Sequence, residues 1–174
     1  MLLENKDIKL RALEPEDLET LYKWENNTSL WIHGNTLSPY SKLALRQYIE
    51  DSLSSDIYQT KQLRMMVVAQ EDNRVTGTVD IYDFDIRNQK AGVGILIDEK
   101  EQNKQYATQT IELITKYCFS FLGIHQLYAY SSVENTASIK VFEKCGFEKG
   151  GMLKNWIRTD SQYNDVFIYQ RINS

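Results

Sequence analysis

The residues best placed to do chemistry lie where an apolar run, residues 91–97, meets a polar turn and then a helix-periodic stretch beginning near Gln102. A strand that runs directly into a helix leaves the first backbone N–H groups of that helix unpaired. With the helix dipole they form an anion site suited to a pyrophosphate. An ordinary strand-to-helix connection has the same pattern. No glycine-rich phosphate loop is present, because neither a P-loop nor a G-x-G-x-x-G follows any strand-like run. His33 and His125 are widely spaced, so no zinc pattern can be written with Cys118 and Cys145, and no metal is expected. Both cysteines fall in predicted helices, where reduced and buried thiols are expected. Asp80 is an acid within a largely apolar run, whereas Asp83 and Asp85 begin a polar segment, 83–90, that reads as a surface loop.

The elements that must position these groups follow from periodicity. Ile8-Lys9-Leu10-Arg11-Ala12-Leu13 alternates like a half-buried strand. Glu14-Pro15-Glu16-Asp17 starts a helix whose apolar face is Leu18, Leu21 and Tyr22. A second helix covers about residues 41–53, with Leu45, Tyr48 and Ile49 inward. Strands are predicted at 63–69, 75–82 and 91–97, the first two joined by a turn at Glu71-Asp72-Asn73-Arg74. From Gln102 the residues Ala107, Ile111, Ile114, Cys118, Phe121 and Leu122 recur at helical spacing and stop at Gly123. A strand at 126–133, a helix at 135–145 capped by Asn135 and ended by Gly146, and strands near 152–157 and 166–172 complete the chain. The order β-α-α-β-β-β-α-β-α-β-β describes a single α/β (α+β) domain over residues 1–174, a mixed sheet with packed helices.

The 174 residues, 42% hydrophobic and 25% charged, suit one well-cored domain rather than two or a disordered chain. A net charge of −4 without any run of like charge argues against phosphate neutralisation on nucleic acid. No apolar stretch reaches membrane-span length and no signal-peptide core is visible at the N-terminus, so a cytoplasmic location is expected, with neither membrane nor nucleic acid as partner.

Four stretches resemble the GNAT superfamily of acyl-CoA N-acetyltransferases. Gln102-Asn103-Lys104-Gln105-Tyr106-Ala107-Thr108 is similar to the family's Arg/Gln-x-x-Gly-x-Gly/Ala loop. Asn135-Thr136-Ala137-Ser138-Ile139-Lys140-Val141-Phe142-Glu143-Lys144-Cys145-Gly146-Phe147 matches its Asn-x-x-(Ala/Ser)-x-x-x-(Tyr/Phe)-Glu-Lys-x-Gly-Phe helix. Ala91-Gly92-Val93-Gly94-Ile95-Leu96-Ile97 resembles the cofactor strand, and Leu10-Arg11-Ala12-Leu13 with Glu16-Asp17-Leu18 resembles the opening. Tyr163-Asn164-Asp165-Val166 and Tyr169 resemble the branch holding ribosomal-protein N-terminal and spermidine acetyltransferases.

The resemblance implies a mostly antiparallel sheet with helices on both faces, splayed between strands 4 and 5, with acetyl-CoA in the wedge and no metal. Ile95, Leu96 and Ile97 would pair with pantetheine like an added strand, and one of their N–H groups could polarise the thioester carbonyl. The amides from Gln102 through Asn103, Lys104, Gln105, Tyr106 and Ala107 to Thr108 would cradle the pyrophosphate, with Lys104 and Thr108 as extra phosphate contacts. Asn135, Ser138, Phe142 and Lys144 would form the other wall. Three positions depart from the family pattern: Gln105 stands where Gly is usual, Phe142 where many members carry a proton-donating Tyr, and Gly92 where some carry a Glu. Ser138 is then the candidate acid toward the CoA thiolate, alongside a purely local first-turn hydrogen bond or protonation by water. Asp80 is the candidate base, acting through a water. Trp31, His33 and Tyr40, in the segment 31–40, and Asp83 would shape the acceptor site.

The expected activity is direct acetyl transfer to a primary amine, a peptide N-terminus or a small amine, by a possible homodimer. Acidic residues typical of polyamine binding are missing from segment 31–40, which lowers a spermidine acceptor. The three departures also fit a weakly catalytic CoA-binding sensor or interaction module.

Overall fold

The structure is a computed structural model that describes residues 2–34 and 36–174; Met1 and Asn35, the latter inside the expected acceptor segment, lie outside it. Its strands are β1 (Ile8–Arg11), β2 (Leu63–Ala69), β3 (Val75–Asp85), β4 (Lys90–Ile97), β5 (Gln126–Ser132), β6 (Glu148–Thr159) and β7 (Gln162–Ile172). They form one seven-stranded sheet in the order β1-β2-β3-β4-β5-β7-β6. Only the β4–β5 pair is parallel. A parallel neighbour requires a crossover, and the helix α5 (Tyr106–Ser120) between these two strands provides it.

Helices α1 (Leu18–Glu25) and α3 (Lys42–Ser54) cover one face of the sheet, and α5 and α6 (Thr136–Lys144) cover the other. Strand β2 shows why its sequence is apolar without a break. Met65 and Val67 face the α5 side with Ile111 and Ile114, whereas Met66 and Val68 face Leu21, Trp24, Leu45 and Ile49. Short helices α2 (Thr28–Trp31) and α4 (Ile57–Thr60) also form, each too brief to register as periodicity in the sequence.

Several local expectations shift, among them β1 ending at Arg11 and β6 and β7 beginning at Glu148 and Gln162. The first helix opens with a 3-10 turn, Pro15–Asp17, so its buried face becomes Leu21 and Trp24, and Tyr22 is exposed. The long helix starts at Tyr106 rather than near Gln102, because Asn103 (φ 65°) and Gln105 (φ 62°) are left-handed and cannot propagate a right-handed turn. Phe121 lies beyond its last residue, 68% exposed and stacked on Tyr117. Strand β3 continues through Asp85 past a register shift between Tyr82 and Asp85, so Asp83 (φ 50°) sits on a bulge rather than in a free loop. Gly123 (φ 67°) and Gly146 (φ 77°) end the two helices in the conformation glycine adopts at least cost.

Candidate active site

Strands β4 and β5 share only the pairs Lys90↔Gln126, Ala91↔Leu127 and Gly92↔Tyr128. Beyond Gly92 they part, while β4 stays paired with β3 as far as Gly77↔Ile97. The sheet therefore forks, and among the described residues the β5-facing edge of β4 from Val93 to Ile97 has no strand partner. Ile95 packs toward the α5 core and Leu96 toward the α1 side, so the free edge runs between two packed layers.

The fork leads into the start of α5. Gln105 caps this helix in left-handed backbone without a side-chain hydrogen bond, and the amides of Tyr106, Ala107 and Thr108 find no acceptor among the described residues. The N-terminus of this 15-residue helix presents free donors and the positive end of the dipole, features that suit an anion. Gln102, Asn103, Lys104 and Gln105 are exposed around it, and a shallow cleft between Lys104, Tyr106 and Gln109 on one side and Lys6, Asp7, Gln70 and Glu71 on the other lies toward the β1–β2 edge. Lys104 is committed elsewhere, since its Nζ donates to Glu101 Oε2 at 2.9 Å. Glu101 also accepts from Arg74 Nε at 2.8 Å, and these donors, Arg74 first and then Lys104, hold its carboxyl below the usual range. Asp98, just past the end of β4, accepts from Trp24 Nε1 at 2.8 Å and from Lys23 at 3.2 Å, which ties β4 to α1.

Helix α6 packs against α5 and β5. Asn135 Oδ1 accepts from the Ser138 amide at 3.1 Å, the N-cap expected from its position. The Ser138 side chain is half-buried, and its hydroxyl makes no hydrogen bond among the described residues. Phe142 differs from the expected open wall: it is 2% exposed and packs among Phe147 and Tyr169, a core ring whose period-3.6 position carried it inward. Lys144 is exposed on the same helix.

On the opposite face, Asp80 is engaged by Arg64, whose Nε and Nη2 donate to its two oxygens at 2.7 and 3.1 Å. The Arg64 Nη1 donates to Glu25 Oε1 at 2.6 Å. Burial opposes the Arg64 charge, but the facing carboxylates prevail and raise its pKa. With both oxygens held by a guanidinium, Asp80 braces the sheet to α1 and is poorly placed to accept a proton. Trp31 joins the same assembly, its Nε1 donating to the Glu25 carbonyl at 2.8 Å. Asn26 clasps the Tyr40 backbone twice, at 2.8 and 3.0 Å, and so closes the base of the loop carrying His33, which is exposed. Sequence reading missed Tyr82, Tyr128 and Tyr130, which group on this face. Tyr128 and Tyr130 alternate with the buried Leu127 and Ala129, a signal the sequence did carry.

This arrangement, a forked sheet opening onto a bare helix N-terminus, is the frame of an acyl-CoA acetyltransferase. A model of the acetyltransferase (GNAT) domain matches residues 7–148, and the chain belongs to that family. Its activity class is that of an acetyl-CoA-dependent N-acetyltransferase. Among characterised proteins it is similar to the spermidine N(1)-acetyltransferase of Vibrio cholerae, 27% identical over 93% of this chain and 91% of that one. It is also similar to an uncharacterised N-acetyltransferase, p20, of Bacillus licheniformis, 22% identical over 96% and 93%. Among solved structures, the Vibrio cholerae spermidine N-acetyltransferase in complex with CoA and spermine superposes with a TM-score of 0.84 at 25% identity, covering 97% of each chain.

Proposed function

We propose that the protein transfers the acetyl group of acetyl-CoA directly to a primary amine within a ternary complex. One observation carries this reading: among the described residues, the β4 edge beyond Gly92 lacks a strand partner and the α5 N-terminus lacks a cap, two sets of backbone donors joined by residues 98–105. The donor set fits the cofactor, because amides on a strand edge suit pantetheine amides and helix-terminal amides suit a pyrophosphate. When bound, acetyl-CoA supplies a thioester carbonyl and a thiolate leaving group.

The chain's own share of the chemistry is mostly positional. A free N–H between Val93 and Ile97 polarises the carbonyl, and alignment of amine and carbonyl provides most of the rate. The unbonded Ser138 hydroxyl is the side chain proposed to protonate the thiolate. Asn135 fixes α6 so that this hydroxyl stays in place.

The acceptor is proposed to be a small amine or a peptide N-terminus. The segment 31–40 carries no Asp or Glu, which disfavours a long polycation there. Spermidine is the second reading, supported by the activity named for the Vibrio cholerae relative. That enzyme has a dodecameric structure, which supports proposing a homo-oligomer here. A reducing cytoplasmic setting is proposed from the two free, buried cysteines.

The test is release of free CoA thiol with acetyl-CoA and a panel containing butylamine, spermidine and short peptides. Amine-dependent release with an acetylated product is expected. Release no faster than thioester hydrolysis with every amine would leave a CoA-binding module instead.

A further inference from the structure

The face of the sheet opposite α5 carries a group of aromatic rings that the transfer chemistry does not use. Gly92 and Gly94 alternate with the buried Ala91 and Val93, so β4 presents no side chain there. Tyr82 fills the gap. A Cβ built on Gly92 would collide with the Tyr82 ring, and one on Gly94 would reach within 3.7 Å of it. Tyr128, the last β5 residue paired with β4, meets Tyr82 edge-on with centroids 6.1 Å apart and an interplanar angle of 89°. Tyr130 meets Tyr128 at 5.7 Å and 73°. Each ring stands nearly perpendicular to the next, which makes walls rather than a stack. The walls stand at the vertex of the fork.

We infer that Tyr82, Tyr128 and Tyr130 form a box for an organic ammonium group, with Asp83 as its counter-charge, so that they select the acceptor. Ring faces attract a cation through their quadrupole, and perpendicular walls offer several faces to one charge. Asp83 is exposed on the β3 bulge and has no ion pair among the described residues, whereas the Asp80 charge is spent on Arg64. Burial pushes Tyr128 up to about 12, with Asp83, Tyr130 and Asp85 adding to it; burial also raises Tyr82, followed by the Tyr128 and Tyr130 phenols and then by Asp83 and Asp80. A side chain at Gly92 would force the Tyr82 ring to shift.

The inference rests on the reading of this face as the acceptor side, and its test does not depend on turnover. Tetramethylammonium, which cannot be acetylated, is titrated into the protein while tyrosine ring signals are followed by NMR, with tert-butanol as a neutral probe of similar size. Binding of the cation in preference to the alcohol is expected. Tyr82→Ala and Gly92→Ala should each weaken it about fivefold, and Tyr82→Phe should preserve it. Equal binding of cation and alcohol, or no change in Tyr82→Ala, would overturn the box. If the cation binds with this pattern but no amine is acetylated, the box stands and the transferase reading falls.

Discussion

Gln105 offers the sharpest test of how the phosphate loop is built. Its backbone is left-handed, with φ 62° and ψ 10°, and its side chain caps nothing. An L-residue in that region carries a penalty of roughly 1–2 kcal/mol, and glycine gives back roughly 0.5–1 kcal/mol through its freer unfolded chain. Gln105→Gly should therefore be more stable than Gln105→Ala by about 0.5–1 kcal/mol, with Gln105→Ala close to the wild type. For a chain of this size that is a melting-temperature gain of about 1–4 °C. Because the strained backbone is already present without cofactor, the relief acts on free and bound protein alike. The acetyl-CoA dissociation constant should then change by less than about threefold, which corresponds to about 0.7 kcal/mol. Thermal melting and calorimetry on the two variants measure both quantities. Equal melting of Gln105→Gly and Gln105→Ala, or a large gain in affinity without a gain in stability, would refute the reasoning.

Asn135→Ala removes the cap on the Ser138 amide and should cost about 1 kcal/mol of stability while raising the acetyl-CoA KM, read by melting and steady-state kinetics. Ser138→Ala should lower kcat roughly 10²-fold with unchanged melting if its hydroxyl protonates the thiolate, and an unchanged kcat would assign that proton to water. The Glu101 carboxyl, held below the usual range by Arg74 and Lys104, adds stability that is present above its unfolded pKa of about 4.3 and lost as pH falls through the lower folded value. Glu101→Gln should accordingly melt below wild type near neutral pH, with the gap closing in acid.

Much of the scaffold is legible in single residues. The alternation in β1, the spacing of Ile111, Ile114 and Cys118, and the stops at Gly123 and Gly146 reflect forces local to each element. The family resemblance implies the β4–β5 fork, and the pairing confirms it. The features that escaped depend on distant partners or on backbone that no side chain announces. Asp80 looked like a free acid because Arg64 and Glu25, 16 and 55 positions away, become its network only after folding. Left-handed Asn103 and Gln105 lack the glycine that marks such turns, so the sequence pattern predicts an α5 that starts earlier than it does. The tyrosine walls join β3 to β5, a contact that periodicity within one strand cannot show.

The central claim is that the forked sheet and the bare α5 N-terminus hold acetyl-CoA. Calorimetric titration of the purified protein with acetyl-CoA, with CoA as comparison, tests it most directly. Micromolar binding of both, of enthalpic sign and weakened in Asn135→Ala, is the expected result. The absence of heat with either ligand, confirmed by an unchanged melting temperature at millimolar acetyl-CoA, would contradict it.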